Sequence, residues 1–62
     1  MVIGIYLYTS SGTIDVTATY SCYDNHVYDP DGHLVGVVDA YNQIEDANNK
    51  AVGYVGSGIG NP

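Results

Sequence analysis

Residues 25–38 align without gaps on residues 42–55, an offset of 17 positions. Asn25/Asn42, Asp29/Asp46, Val35/Val52, Gly36/Gly53 and Val38/Val55 are identical, and Val27/Ile44 and Asp31/Asn48 are chemically close. Gly32 and Asn49 share a tolerance for the left-handed backbone. Five identities in 14 aligned positions constrain this chain more than any other feature, because a unit so short holds one hairpin and little else. Residues 7–14 match the same pattern faintly, at Tyr8 and Gly12.

Each unit carries its own turn. Asp29, Pro30, Asp31 and Gly32 suit a type I turn, with Pro at the second position and Gly supplying the left-handed residue after it. Asp46, Ala47, Asn48 and Asn49 fit the same turn with Asn in the glycine's role. The turn sets Asp29 opposite His33 and Asp46 opposite Lys50, each an acid facing a basic or titratable group. Continued outward, the register sets Val27 opposite Val35 and Ile44 opposite Val52. Alternation then predicts a core face of Val27, Val35, Val37, Ile44, Val52 and Tyr54. The other face carries His26, Tyr28, Leu34, Gly36, Val38, Gln43, Glu45, Ala51, Gly53 and Val55. It is too apolar for a solvated sheet face, so a partner subunit is expected to cover part of it. Gly36 and Gly53, at matching positions, predict a bend or a close backbone approach, as where a sheet curls into a barrel.

The first third reads as another hairpin. Residues 13–23 alternate, with Ile14, Val16, Ala18, Tyr20 and Cys22 on one face and mostly threonines, serine and Asp15 on the other. Residues 2–8 place Ile3, Ile5 and Leu7 opposite Tyr6 and Tyr8, and residues 9–12 form the turn between the strands. Tyr41 to Ala47 could coil for a turn or two, but the alignment argues against a helix there.

Composition excludes several functions. Six Asp and one Glu face a single basic residue, Lys50, and the formal net charge is −6. Nucleic-acid binding needs clustered Lys or Arg and is excluded, and anionic membrane surfaces are disfavoured for the same reason. The apolar residues 1–8 lack a basic flank and a cleavage site, so they read as a strand and not a leader. No stretch nears the roughly 18 apolar residues of a membrane span. A cytoplasmic location is the expectation. Cys22 is the only cysteine, so no disulfide closes within the chain. A chain of 62 residues buries only about 60% of its extended surface. Without a staple, oligomerisation is the remaining route to stability.

Chemistry-bearing residues are few. His26, Asp29, Asp31 and His33 suggest a metal cluster, yet the hairpin register sends the two imidazoles to opposite faces, and no metal site is expected. The calcium-loop pattern would require an oxygen ligand at Val27 and a glutamate at Val38, so it fails. Cys22 lies on an apolar strand face and reads as a small core hydrophobe, not a nucleophile. Glycines 56, 58 and 60 precede no helix and make no phosphate loop. Neither catalytic residues nor a cofactor are expected. Seven tyrosines and no Phe or Trp leave two readings. The favoured one makes Tyr the packing aromatic at sheet rims and interfaces. The other lines a groove for a small ligand or carbohydrate with Tyr28, Tyr41, Tyr54, Asp24 and Asn42.

The stretch from Val27 through Tyr28, Asp29, Gly32 and Gly36 to Val38, matched at residues 44–55, resembles the hairpin repeats of small bacterial proteins of the four-fold beta-flower type. The resemblance covers about half the chain. It implies successive hairpins about a pseudo-rotation axis and assigns no activity. The same stretch is faintly similar to the PRC-barrel motif, a small β domain of binding and assembly. Neither resemblance supplies catalytic residues.

The expected fold is therefore all-β: five to six strands in consecutive hairpins, forming a small barrel-like or curled antiparallel sheet. One domain is expected over residues 1–55, with hairpin 2–23 and units 25–38 and 42–55, followed by a flexible Gly-rich tail at 56–62. The expected role is a non-enzymatic structural or interaction module that forms a homo-oligomer through the second hairpin face or an exposed edge strand. A small-ligand or carbohydrate-binding module is the alternative.

Overall fold

A computed structural model describes residues 2–57. Six strands follow one another: β1 (Val2–Thr9), β2 (Gly12–Tyr23), β3 (His26–Tyr28), β4 (Leu34–Val38), β5 (Gln43–Glu45) and β6 (Ala51–Ser57). Every strand pairs antiparallel with its sequence neighbour, and β6 returns to β1 through Ile5/Val55, Tyr6/Tyr54 and Leu7/Gly53, closing a barrel. The all-β, hairpin-built expectation holds. β6 runs through Gly56 and Ser57, two residues assigned in advance to the tail; residues 58–62 lie outside the described residues.

The first hairpin turns where expected, and its ladder is interrupted once, between the Ile5/Val16 and Ile3/Tyr20 pairs. Thr9 pairs with Gly12, Tyr8 with Thr13 and Leu7 with Ile14, leaving a two-residue turn at Ser10 and Ser11. β2 turns into β3 through Asp24 and Asn25, at φ 53° and 64°, which is the paired positive-φ signature of a tight hairpin.

The second and third hairpins depart from the predicted register at one residue each. Tyr28 pairs with Leu34 as the turn dictates, but Val27 pairs with Gly36, so Val35 is an extra residue. Glu45 pairs with Ala51 and Ile44 with Gly53, so Val52 is the extra residue there. These bulges overturn the predicted Val27/Val35 and Ile44/Val52 pairs. Because side chains alternate, one inserted residue moves everything beyond it to the other face. Val37 is therefore outside and exposed, and Tyr54 is outside and half-buried, although both were predicted to be core. Val38 and Val55 are buried within, although both were predicted on the second face.

The core comprises Ile3, Ile5, Cys22, Val27, Val38, Ile44 and Val55, flanked by Leu7, Val16, Tyr20, Val35 and Val52. Cys22 is buried among hydrophobes, as its strand position required. Gly36 and Gly53 make the close approaches their spacing predicted. A Cβ on Gly36 would strike the Glu45 carbonyl oxygen and Ile44 Cγ2, and one on Gly53 would strike the Tyr6 carbonyl oxygen. Leaving out the side chain there lets the wall of a six-strand barrel close tightly.

Closure leaves no strand with a whole free edge. One stretch is an exception: β2 meets β3 only at Ser21, Cys22 and Tyr23. Residues 12–16 of β2 are thus paired on the β1 side alone among the described residues.

Candidate functional site

Three turns share one hydrogen-bonding scheme built on an aspartate. Asp29 Oδ1 accepts the amides of Asp31 and His33 at 3.0 and 2.9 Å. Asp39 Oδ1 accepts those of Tyr41 and Gln43 at 2.7 and 2.9 Å, and Asp46 Oδ1 accepts those of Asn48 and Lys50 at 2.9 and 3.0 Å. In each turn the aspartate carbonyl also accepts the amide of the residue three positions on: Gly32, Asn42 or Asn49. That residue has positive φ in all three turns: 84°, 64° and 61°. The Asp39 turn was not legible in advance, because Asn42 had been assigned as the start of the second unit and not as the end of a turn. Its signal was available: an aspartate followed three residues later by an asparagine.

The first of these turns gathers ligand-type atoms. One ligand atom from each of Asp29, Asp31 and His33 lies within 4.8 Å of the others, on an exposed loop. Asp29 Oδ2 is 3.9 Å from His33 Nδ1. His26 stands apart on the outer wall, where its Nδ1–H donates to the Asp24 carbonyl oxygen at 2.8 Å. The carbonyl can only accept, so this bond fixes the proton on Nδ1. Asp29 Oδ1 already serves two backbone amides, and that role accounts for the residue.

The proposed ligand groove is not assembled. Tyr28 lies on β3 and Tyr54 on β6, three steps apart around a six-strand ring and so on opposite walls. Tyr41 is 85% exposed at the tip of the Asp39 turn. Asp24 and Asn42 occupy positive-φ turn positions, so the backbone explains both. Only Tyr54, Asn42 and Tyr41 are near neighbours in the chain's pairing, since the Asn42 carbonyl accepts the Val55 amide at 2.8 Å. No cavity is enclosed among the described residues.

The aromatic contact that does form joins Tyr54 to Tyr6 and Tyr8, two tyrosines outside the expected groove. Tyr6 stacks on Tyr54 with ring centroids 4.9 Å apart and planes at 19°, and Tyr8 tilts against Tyr54 at 5.9 Å. A Cβ on Gly56 would strike the Tyr6 ring, so that ring lies over a bare stretch of β6. The trio bridges the outer β1–β6 seam and holds the barrel shut from outside.

Titration behaviour is distinctive at one place. Asp39, one residue past the end of β4, lies near Glu45 of β5, which pairs with Val37. The Gln43 amide holds the Asp39 carboxyl below its ordinary range, and Glu45 is pushed up by desolvation and by Asp39 beside it. The two carboxyls are coupled, since Asp39 is one cause of the Glu45 shift.

The remaining feature of the outer wall is apolar. One row across β1 to β4 reads Val2, Ser21, Tyr28 and Leu34, and the next across β2 to β5 reads Tyr23, His26, Val37 and Glu45. Val2, Leu34, Val37 and Tyr23 are 59, 56, 41 and 76% exposed. Comparison with known protein families, curated proteins and solved structures found no match.

Proposed function

We propose that this chain is a small, acidic, non-enzymatic β module that works by contact and associates with copies of itself. The observation that carries this reading is the exposure of Tyr23 on β2 and of Leu34 and Val37 on β4, to either side of β3, on a barrel with no enclosed cavity among the described residues. Exposed large apolar side chains on neighbouring strands mark interaction surfaces. The convergent acid–base geometry of an active site has no counterpart in the exposed turn carboxylates.

We propose further that residues 25–38 and 42–55 are two copies of one hairpin element, in keeping with the resemblance to the beta-flower proteins. Matched bonds support it: Val38 N–H to Asn25 O and Val55 N–H to Asn42 O, both 2.8 Å.

Sedimentation equilibrium tests self-association. The expected result is an oligomer that tightens with added salt, because each subunit carries a net charge of −6. A monomer at every concentration and salt would sink the reading.

A further inference from the structure

We propose that two copies of this chain join through residues 12–16 of β2, paired antiparallel about a two-fold axis at Ile14. This inference rests on the self-association reading and names its contact.

The argument starts from hydrogen-bond parity. Val55 N–H is donated to β5, at Asn42 O. Backbone groups alternate sides along a strand, so Tyr54 directs its own toward β1. Tyr54 is paired with Tyr6, and Tyr6 therefore spends its N–H and C=O on β6. Tyr6 is also paired with Asp15, which receives no ladder bond from it and directs its N–H and C=O away from β1. Alternation gives Thr13 the same direction. No strand pairs with residues 12–20 on that side among the described residues. Thr13 and Asp15 thus present two donors and two acceptors along an open edge.

Natural edges are blunted by charged side chains, lysine above all, by proline or by bulges, and residues 12–16 contain no Lys, no Pro and no register shift, with Asp15 as their one charge. An apolar residue is exposed there instead. Ile14 faces the same way as Val16, which packs on the core, yet Ile14 is 51% exposed.

A second copy satisfies all of this at one register. With Ile14 facing its own counterpart, Thr13 lies opposite the partner's Asp15 and Asp15 opposite the partner's Thr13. Those are the residues with outward backbone groups, so the two copies exchange complete bonds. Ile14 covers Ile14 across the close, non-hydrogen-bonded pair. Each carboxylate meets a hydroxyl-bearing residue and not its own copy, which avoids a like-charge pair. The interface is isologous and closes at two subunits.

Three measurements on the full chain test it together. Sedimentation should give twice the monomer mass. In that state the Thr13 and Asp15 amides should exchange at least tenfold more slowly than in dilute monomer. Under diamide, Ile14→Cys should form a 14–14 disulfide between chains, because the Cα separation of a close pair, about 4.5 Å, falls in the disulfide range. The wild type, with Cys22 alone, should not cross-link. Asp15→Pro removes an outward N–H without touching the β1 ladder and should yield a monomer. If that variant fails to fold, the exchange and cross-linking results decide. Association with freely exchanging Thr13 and Asp15 amides and no 14–14 disulfide overturns the β2 contact and leaves self-association standing. A wild type that stays monomeric overturns both.

Discussion

Asn25 and Asn42, seventeen residues apart, hold the same backbone conformation at φ 64°, and each accepts through its carbonyl the amide of a core valine thirteen positions on. The valines are Val38 and Val55, both 8% exposed. A left-handed residue thus anchors the far strand of each unit where that strand delivers its side chain to the core. An L-residue other than Asn, Asp or Gly is disfavoured in this region by about 1–2 kcal/mol. Asn42→Gly should leave stability within a few tenths of a kcal/mol, whereas Asn42→Val should lose about 2 kcal/mol in urea denaturation. An equal loss in both variants would mean that the side chain, not the conformation, is what counts.

The aspartate turns predict a graded response. Asp46→Ala frees two amides that Oδ1 now accepts, at a cost of about 1 kcal/mol because the loop is solvent-exposed. Asp46→Asn keeps an acceptor oxygen and should retain most of the stability. Chemical denaturation midpoints of the two variants, measured at one pH, separate loss of the hydrogen bonds from loss of the charge.

Two glycines of β6 separate backbone contact from ring contact. Gly53→Ala drives its methyl into the Tyr6 carbonyl oxygen, which belongs to the β1–β6 ladder and cannot move alone. A loss of about 1–3 kcal/mol is expected, enough to threaten a domain this small. Gly56→Ala meets the Tyr6 ring, which can swing away, so its cost falls on the Tyr6–Tyr54 stack. Near-UV circular dichroism of tyrosine should change in the Gly56 variant with little loss of midpoint. The Gly53 variant should shift the midpoint strongly.

Much of this architecture was legible because its signals are local. The alternation of residues 13–23, the Thr9-to-Gly12 turn and the Asp29 and Asp46 turns each depend on a few neighbouring residues, and each is where the pattern puts it. The bulges at Val35 and Val52 were not legible, since nothing local distinguishes an inserted valine from a paired one. The two glycines after them were the trace: Gly36 and Gly53 mark where the backbone closes on its neighbour, and the strand shifts by one residue to place them there. The tyrosine seam was hidden for another reason. Tyr6 and Tyr54 are 48 positions apart and meet only because the ring closes. The same global fact sets Tyr28 and Tyr54 on opposite walls, which residue type alone does not reveal.

Asp39 and Glu45 make the stability of the barrel depend on pH in opposing ways. The Asp39 pKa is lowered from 3.8, chiefly by the Gln43 amide, so its contribution is present above that value and is lost as pH falls through the folded pKa. The Glu45 pKa is raised from 4.5, chiefly by desolvation and then by Asp39, so folding favours its protonated form. That contribution is present below 4.5 and is lost as pH rises through the folded pKa. Glu45→Gln fixes the neutral form. It should therefore raise Tm slightly at pH 7, and the gain should vanish at pH values below 4.5, where the wild-type carboxyl is itself protonated. Asp39→Asn should do the reverse at neutral pH, lowering Tm by weakening the turn that the carboxylate caps, while returning Glu45 toward its ordinary titration. Thermal melts of the two variants and the wild type from pH 3 to 8 check both signs, and a Glu45→Gln gain that persists unchanged at pH 3 would show that charge is not its cause.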